Sequence, residues 1–172
     1  MDEDQTPETS GASPGATPGT NHRTTPGTGR LADFLPYQLS VTSNAVSSMI
    51  AQRYRARFGL KITEWRVIAV LGDAGASTQR DLTQATLMDK VAVNRASKVL
   101  EDRGLVARKP NASDGRSHLL ELTEEGDAIH REVMPMVERM ERDIFAALNP
   151  QEQSQFKAML QRIFENTDAL NT

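Results

Sequence analysis

Two short helices followed by two short strands constrain the fold of this chain more than any other feature. Thr78 and Asp89 are good N-cap residues, and the helices they start end near Ala85 and at Arg103-Gly104. Only residues 86–88 separate the two helices. Predicted strands 105–109 and 118–122 come next, joined by a turn-forming loop over residues 110–115. This order is typical of a winged helix-turn-helix, so we predict a mainly α fold with a small β-hairpin wing, of the α+β class.

The second of the two short helices has two chemically distinct faces. At about 100° per residue, Val93, Ala96 and Leu100 fall within an arc of about 60°, which predicts a narrow stripe packed on the core. The opposite face, together with the first turn of the helix, carries polar, basic and small apolar side chains. They are Lys90, Val91, Asn94, Arg95 and Lys98. In helix-turn-helix proteins the second helix lies in the major groove of DNA, so this face is the candidate reading surface.

These residue types match what base edges and phosphates offer. Asn94 could pair bidentately with adenine, Arg95 with guanine, and Val91 could contact a thymine methyl group. Lys90 and Lys98 suit phosphate contacts. The alternative is an ordinary solvated helix face, which often contains the same residue types.

The loop between the strands adds a second candidate contact. It contains Asp114-Gly115-Arg116, and an arginine at a hairpin tip can enter the narrow minor groove of A·T-rich DNA. We expect the Asp114 carboxylate to hold the Arg116 side chain in position. The alternative is a polar loop in which the two side chains only pair with each other.

Longer helices flank this region. Apolar residues at three- and four-residue steps predict a first helix ending near Gly59, and Thr63 is the predicted N-cap of the next helix, which breaks at residues 72–75. Thr123 caps a long helix that contains Pro135 and should kink there, and a last helix comes after Pro150. Residues 1–30 hold seven Thr, four Pro and five Gly, a composition that predicts a disordered tail.

Charge is unevenly distributed along the chain. The net charge is −3, yet residues 78–117 carry eight basic and five acidic side chains, whereas residues 118–172 carry five and eleven. The middle segment is therefore the part that could face phosphate.

Several function classes find no support in the sequence. The absence of cysteine excludes disulfides, thiolate metal sites and thiol redox sensing. The three histidines show no metal-ligand spacing, and there is no phosphate-binding glycine loop or nucleophile elbow, so we expect neither an enzyme nor a bound cofactor. No apolar stretch suits a membrane span or a signal peptide, which predicts a cytoplasmic protein.

Residues 31–170 resemble the MarR family of dimeric winged-helix transcription factors. The resemblance lies in residues 60–71, in the 89–104 helix ending Leu-Glu-Asp-Arg-Gly-Leu-Val, in the wing Asp114-Gly115-Arg116-Ser117, and in the segment 122–126. It implies a sequence-specific DNA-binding regulator and adds Ser117 to the candidate DNA contacts. It divides the chain into a tail (1–30), dimerisation helices (31–59 and 123–172) and a winged helix-turn-helix lobe (60–122).

The resemblance also implies a homodimer on a pseudo-palindromic operator. The last two helices agree independently, because they carry broad apolar stripes with no third domain to bury them, and a symmetric partner would cover both. The alternative is that these helices fold back on the core of their own protomer.

Family members commonly bind a small aromatic acid or its thioester between the dimer helices and the DNA-binding lobe. The resemblance therefore implies a repressor, released from its operator by a phenolic acid or its CoA thioester, and a role in aromatic catabolism. The candidate contacts are Met49, Arg53, Trp65 and Arg66, because arginine pairs with carboxylates and tryptophan stacks on aromatic rings. The alternatives are that Trp65 belongs to the core, and that the chain is a helical dimeric interaction protein without ligand control.

Overall fold

The computed structural model describes residues 31–170, so the predicted tail at residues 1–30 lies outside the described part. The chain divides into two compact units, Met1–Gln38 and Leu39–Thr172, and the second contains the core and the winged helix-turn-helix. Residues 31–170 form six helices and one small sheet, as predicted. The elements are α1 (Leu35–Phe58), α2 (Ile62–Ala74), β1 (Ser77–Thr78), α3 (Gln79–Thr86), α4 (Lys90–Asp102), β2 (Val106–Pro110), β3 (His118–Leu122), α5 (Glu124–Phe145) and α6 (Pro150–Leu170).

The two predicted caps begin α3 and α4. The Asp81 N–H donates to the Thr78 hydroxyl at 3.2 Å, and the Ala92 N–H donates to the Asp89 carboxylate at 2.8 Å. Each bond satisfies a backbone donor that the first turn of a helix leaves unpaired. The turn between the helices passes through Leu87 in the left-handed region, at φ 53°. The helix-turn-helix is therefore set by local signals in the sequence.

The sheet has one strand more than predicted. Its order is β1-β3-β2, and the two-residue β1 pairs antiparallel with β3 through Ser77–Leu120 and Thr78–Leu119. The wing hairpin pairs Val106 with Leu122, and its ladder extends to Pro110, which the sequence pattern assigns to the loop. The added strand fastens the wing to the start of α3.

Helix α2 lies at the centre of the core. Its Val67, Ile68 and Leu71 are buried, and α3, α4, α5 and β3 pack against it. Burying aliphatic side chains of this size contributes about 1.5–3 kcal/mol each, so α2 is the element on which the lobe is assembled. The buried cluster also includes Ala51 and Tyr54 of α1, Leu82, Val93, Ala96, Leu100, Leu120 and Val133.

Two predictions about α2 are wrong. Its N-cap is Lys61, not Thr63, and the Glu64 carboxylate accepts the Lys61 N–H at 2.9 Å. The helix also continues through Gly72 and ends at Gly75, whose φ of 76° suits a glycine. A Cβ at Gly72 would lie 2.5 Å from the His130 ring of α5, so a larger residue there would have to displace that ring.

The apolar residues whose spacing predicts α1 are only partly buried. The buried residues of this helix are Ala51 and Tyr54, near its C-terminal end, whereas Leu39 and Met49 are exposed. Helix α5 continues on both sides of Pro135, and α6 has no buried residue. Within residues 31–170, none of the helices combines the length and hydropathy that a membrane crossing needs.

Candidate nucleic-acid interface

Helix α4 has the two faces that its sequence predicts. Val93, Ala96 and Leu100 are buried, and the side chains of the predicted reading surface point away from the core. Val91 is 58% exposed although it is apolar. All the predicted contacts on this helix are exposed, and they are Lys90, Val91, Asn94, Arg95 and Lys98. The helix therefore presents amide, guanidinium, ammonium and isopropyl groups outward from one rigid, capped element.

Two of these side chains have partners within the chain. Gln79 Nε2 donates a hydrogen bond to Asn94 Oδ1, joining the start of α3 to the outer face of α4. Lys98 Nζ lies 3.6 Å from Asp102 Oδ1, one turn along the same helix. This exposed pair contributes little, so Lys98 can exchange Asp102 for a phosphate. Sequence reasoning missed Gln79, because its contact with Asn94 exists only once the two helices are folded together.

The wing loop is held by hydrogen bonds, but not by the predicted one. The Asp114 carboxylate accepts the backbone N–H of Arg116 at 3.1 Å rather than its guanidinium. Asn111 Nδ2 donates to the Ser117 hydroxyl at 2.8 Å, closing the loop across its base. Asp114 thus shapes the turn and leaves the Arg116 side chain exposed at the tip.

The basic residues at the base of the wing are paired. Arg108 Nε donates to Glu101 Oε1 at 2.7 Å, and Lys109 forms an ion pair with Glu121. These bonds connect β2 to the end of α4 and to β3. Their cations are partly neutralised, so Arg116 is the wing cation with the fewest restraints among the residues described.

A cavity of about 710 Å³ lies between the wing and the start of the helix-turn-helix. Four of the predicted DNA contacts, Lys90, Asp114, Arg116 and Ser117, line it together with Gln79. The remaining lining residues are Thr78, Arg80, Asp81, Thr83, Gln84, Arg108, Asn111 and His118. The lining includes more cations than carboxylates, so the concave surface attracts a polyanion.

The Asp81 carboxylate in this cavity, like that of Asp114, already accepts hydrogen bonds from the protein. The Asp81 carboxylate accepts hydrogen bonds from the Thr78 hydroxyl at 2.7 Å and the Thr78 N–H at 3.0 Å. These bonds hold the pKa of Asp81 below its usual range, and the bond from the Thr78 hydroxyl has the largest effect. The charge of Asp81 therefore completes the cap of α3.

The four candidate effector contacts lie in different environments. Met49, Arg53 and Arg66 are exposed, whereas Trp65 is buried. The Trp65 ring centroid lies 5.6 Å from that of Tyr54 and 6.1 Å from that of His130, which is nearly parallel to it. Trp65 therefore belongs to the core, which was the alternative to a role as an exposed ligand contact.

Tyr54 and His130 complete an aromatic cluster that links α1, α2 and α5, and sequence reasoning did not find it. Burial raises the pKa of the Tyr54 hydroxyl. The signal available in the sequence was Gly72, whose missing side chain leaves room for the His130 ring.

Comparison with known proteins agrees with this fold. The MarR family model matches residues 58–117, from the end of α1 to the wing. The HTH-type transcriptional repressor NicR of Pseudomonas putida is 26% identical over 153 residues, covering 85% of this chain and 96% of NicR.

Two solved structures share the fold. The first is BpsR of Bordetella bronchiseptica, whose DNA binding is regulated by 6-hydroxynicotinic acid. Its sequence is 26% identical to this chain, and the two structures match with a TM-score of 0.68 over 75% of this chain and 97% of BpsR. A mutant MarR from Escherichia coli complexed with operator DNA is 21% identical, with a TM-score of 0.69 over 79% of this chain and 99% of that one. These proteins are transcriptional regulators and not enzymes. The matched family model, the repressor relative and the shared winged helix-turn-helix fold together support a MarR-type transcriptional regulator.

Proposed function

We propose that the protein binds a pseudo-palindromic duplex DNA site as a homodimer, with α4 in the major groove and the wing on the adjacent minor groove. The observation that carries the proposal is the surface formed by α4 and the wing. Val91, Asn94 and Arg95 point outward from a capped helix, and Arg116 lines the same basic cavity as Lys90. Base edges and phosphates are the ligands that this combination of groups recognises.

Dimerisation is supported by the apolar surface that the protomer leaves uncovered. A groove of about 610 Å³ lies between Leu39 of α1 and helix α6, where Leu160, Ile163 and Phe164 are among the residues that line it. Ile163 and Phe164 are 52% and 51% exposed, which is unusual for neighbouring large apolar residues. A second copy of the chain would cover this surface and place two reading helices about one helical turn, roughly 34 Å, apart on DNA.

The oligomeric state is tested by sedimentation at micromolar concentration. We expect a dimer, and we expect Phe164→Glu to produce a monomer that binds the operator much more weakly. Gln155→Glu is the matched control, since it adds the same charge to an exposed position of α6 outside this groove. A wild-type monomer would contradict the proposal.

DNA binding is tested by titrating duplexes at several salt concentrations. The logarithm of the binding constant should fall linearly with the logarithm of salt concentration, because basic side chains displace condensed cations. Operator candidates come from DNA selected out of a randomised pool. Absence of salt-dependent duplex binding would instead favour a helical interaction protein that has no DNA role.

For control of binding, we propose a phenolic acid or its CoA thioester as the ligand that releases the protein from DNA. BpsR supports the chemistry, since 6-hydroxynicotinic acid, which regulates its DNA binding, is a hydroxylated aromatic acid. Arg53 and Arg66 are exposed cations beside the buried aromatic cluster of α1 and α2, with Met49 one turn from Arg53. The ring of Trp65 would have to separate from Tyr54 or His130 before a ligand could stack on it.

The test is calorimetric titration of a panel of phenolic acids and thioesters, with and without operator DNA. By linkage, DNA must weaken ligand binding by the same factor as ligand weakens DNA binding, typically about 5–150-fold. Arg53→Ala and Arg66→Ala should abolish the response, whereas Arg55→Ala, another exposed cation of α1, should not. Binding that is unaffected by DNA would refute ligand control and leave the DNA-binding proposal standing.

A further inference from the structure

A side-chain hydrogen bond joins Gln79, at the start of α3, to Asn94 on the outer face of α4. The Nε2 atom of Gln79 donates to Asn94 Oδ1. The anchor of this contact is well fixed, because Thr78 caps α3 immediately before Gln79 and the Thr83 hydroxyl donates to the Gln79 carbonyl at 2.7 Å. The side-chain amide of Gln79 therefore extends to Asn94 from a backbone position that is fixed by hydrogen bonds.

The hydrogen bond determines which way the Asn94 amide faces. A primary amide has an acceptor oxygen and a donor NH₂ group, and an unrestrained asparagine exposes either one by turning about χ2. In this structure Gln79 turns its NH₂ group toward Asn94, and that group can bond to the oxygen of Asn94 but not to its NH₂ group. The Asn94 oxygen is thus held toward Gln79, and its NH₂ group is left to donate outward.

We infer that Gln79 is a specificity-determining residue, which sets Asn94 to recognise a hydrogen-bond acceptor on a base edge. The inference rests on the proposed function, since it requires α4 to lie in the major groove. There, purine N7, guanine O6 and thymine O4 are acceptors, whereas cytosine offers only its N4 donor. A site read by Asn94 in this orientation should exclude cytosine and should not show the strict adenine preference of a bidentate asparagine.

The sharpest test replaces the donor of Gln79 by an acceptor. In Gln79→Glu the new carboxylate can only accept, so it attracts the Asn94 NH₂ group and turns the Asn94 oxygen toward the base. The preference should then reverse, favouring cytosine over guanine at the position read by Asn94. Gln79→Ala should instead abolish the preference, because the Asn94 amide is then free to turn.

The measurement is selection from a randomised duplex pool, followed by competition between duplexes that differ at that one position. We expect the guanine-to-cytosine affinity ratio to fall by about tenfold in Gln79→Ala, which is the discrimination that one good base contact provides, and to fall further, to below one, in Gln79→Glu. Because the readout is a ratio, the added negative charge of Gln79→Glu affects both duplexes and cancels. Thermal melting of each variant verifies that the fold is intact.

Two controls separate this inference from a general loss of binding. Gln84→Ala removes the same side-chain type from the same helix and the same cavity, but not a partner of Asn94, so the ratio should stay unchanged. Combining Gln79→Ala with Asn94→Ala should reduce discrimination no further than Asn94→Ala alone.

The outcomes distinguish the inference from the proposed function. If Asn94→Ala alters base preference but Gln79→Glu leaves the ratio as in the wild type, or if the Gln79 and Asn94 effects simply add, the inference is wrong and DNA reading by α4 survives. If Asn94→Ala itself leaves base preference unchanged, Asn94 reads no base, and the inference fails together with that part of the proposed function.

Discussion

Arg103, the residue immediately after α4, lies with its Nη1 atom 3.8 Å from Oε2 of Glu64 in the first turn of α2. Its Nη2 atom donates to the Phe58 carbonyl at the end of α1, at 2.7 Å. Glu64 is only 3% exposed, and the same oxygen, Oε2, also accepts the Lys61 N–H. One guanidinium thus ties the end of the candidate reading helix to the junction of the first two helices.

Arg103→Ala should destabilise the protein by about 2 kcal/mol, because it leaves a buried carboxylate without its cation. Urea denaturation followed by circular dichroism measures the change. Lys98→Ala is the matched control, since it breaks an exposed ion pair one turn earlier on α4 and should change stability by less than about 0.5 kcal/mol. Equal effects of the two substitutions would mean that Arg103 contributes no more than a surface charge.

Gly126→Ala should be strongly destabilising. A Cβ at this position of α5 would lie 2.0 Å from the Leu105 carbonyl oxygen, a backbone atom that also accepts the Thr123 N–H at 3.1 Å. We expect the free energy of unfolding to fall by about 3 kcal/mol, although alanine has the better helix propensity. Urea denaturation measures this change. Gly115→Ala, at an open position of the wing, should be nearly neutral. Unchanged stability of the Gly126 variant would show that α5 can move away from Leu105 at little cost.

The parts of the fold that the sequence predicted are those governed by local signals. Thr78, Asp89 and Thr123 cap their helices as predicted, because an N-cap bond joins residues three apart. The two faces of α4 were predicted for the same reason, since helical periodicity alone separates Val93 from Arg95. The placement of α4 in the fold follows from its caps and its apolar stripe.

The features that were missed depend on contacts between distant residues. Strand β1 has two residues and exists only through pairing with β3, about forty positions away. The contact of Gln79 with Asn94 and the packing of His130 on Trp65 likewise join different helices. No periodic pattern predicts such pairs. Helical periodicity therefore predicts which side chains of α4 face outward, but not which residues of other helices contact them.

Ser97→Ala should stabilise the protein. Ser97 is fully buried in α4, and its hydroxyl is the buried side-chain polar atom without a hydrogen-bond partner in the part of the chain described. Removing the hydroxyl should raise the free energy of unfolding by about 1 kcal/mol, which corresponds to roughly 3 °C in melting temperature. Calorimetry measures this change. Ser48→Ala, at an exposed position of α1, gains only helix propensity and should give a smaller increase. A lower melting temperature for the Ser97 variant would reveal a partner for the hydroxyl, such as a buried water.

Arg116→Ala should weaken binding to operators with A·T-rich flanks more than to those with G·C-rich flanks. The exposed guanidinium at the wing tip suits the narrow minor groove of A·T-rich DNA, whose negative potential is deeper. Competition between operators that differ only in their flanks measures the effect. Lys109→Ala removes a cation that already pairs with Glu121 and should weaken both flank types equally, if at all. The same flank dependence in wild type and Arg116 variant would place the wing outside the minor groove.

Arg95→Ala and Lys98→Ala should separate base reading from phosphate binding on the same helix face. Both side chains are exposed, but the planar guanidinium of Arg95 can bond to two acceptors of one guanine, whereas the ammonium of Lys98 acts as a point charge. Arg95→Ala should therefore reduce specific binding by about 1–3 kcal/mol and relax discrimination at one base pair. Lys98→Ala should weaken binding to all duplexes alike and lower the salt slope by about one unit. Titration of a specific and an unrelated duplex over a range of salt concentrations gives both quantities. If the Arg95 variant lost affinity equally for the two duplexes, Arg95 would be a phosphate contact, and base recognition by α4 would depend on Asn94 and Val91.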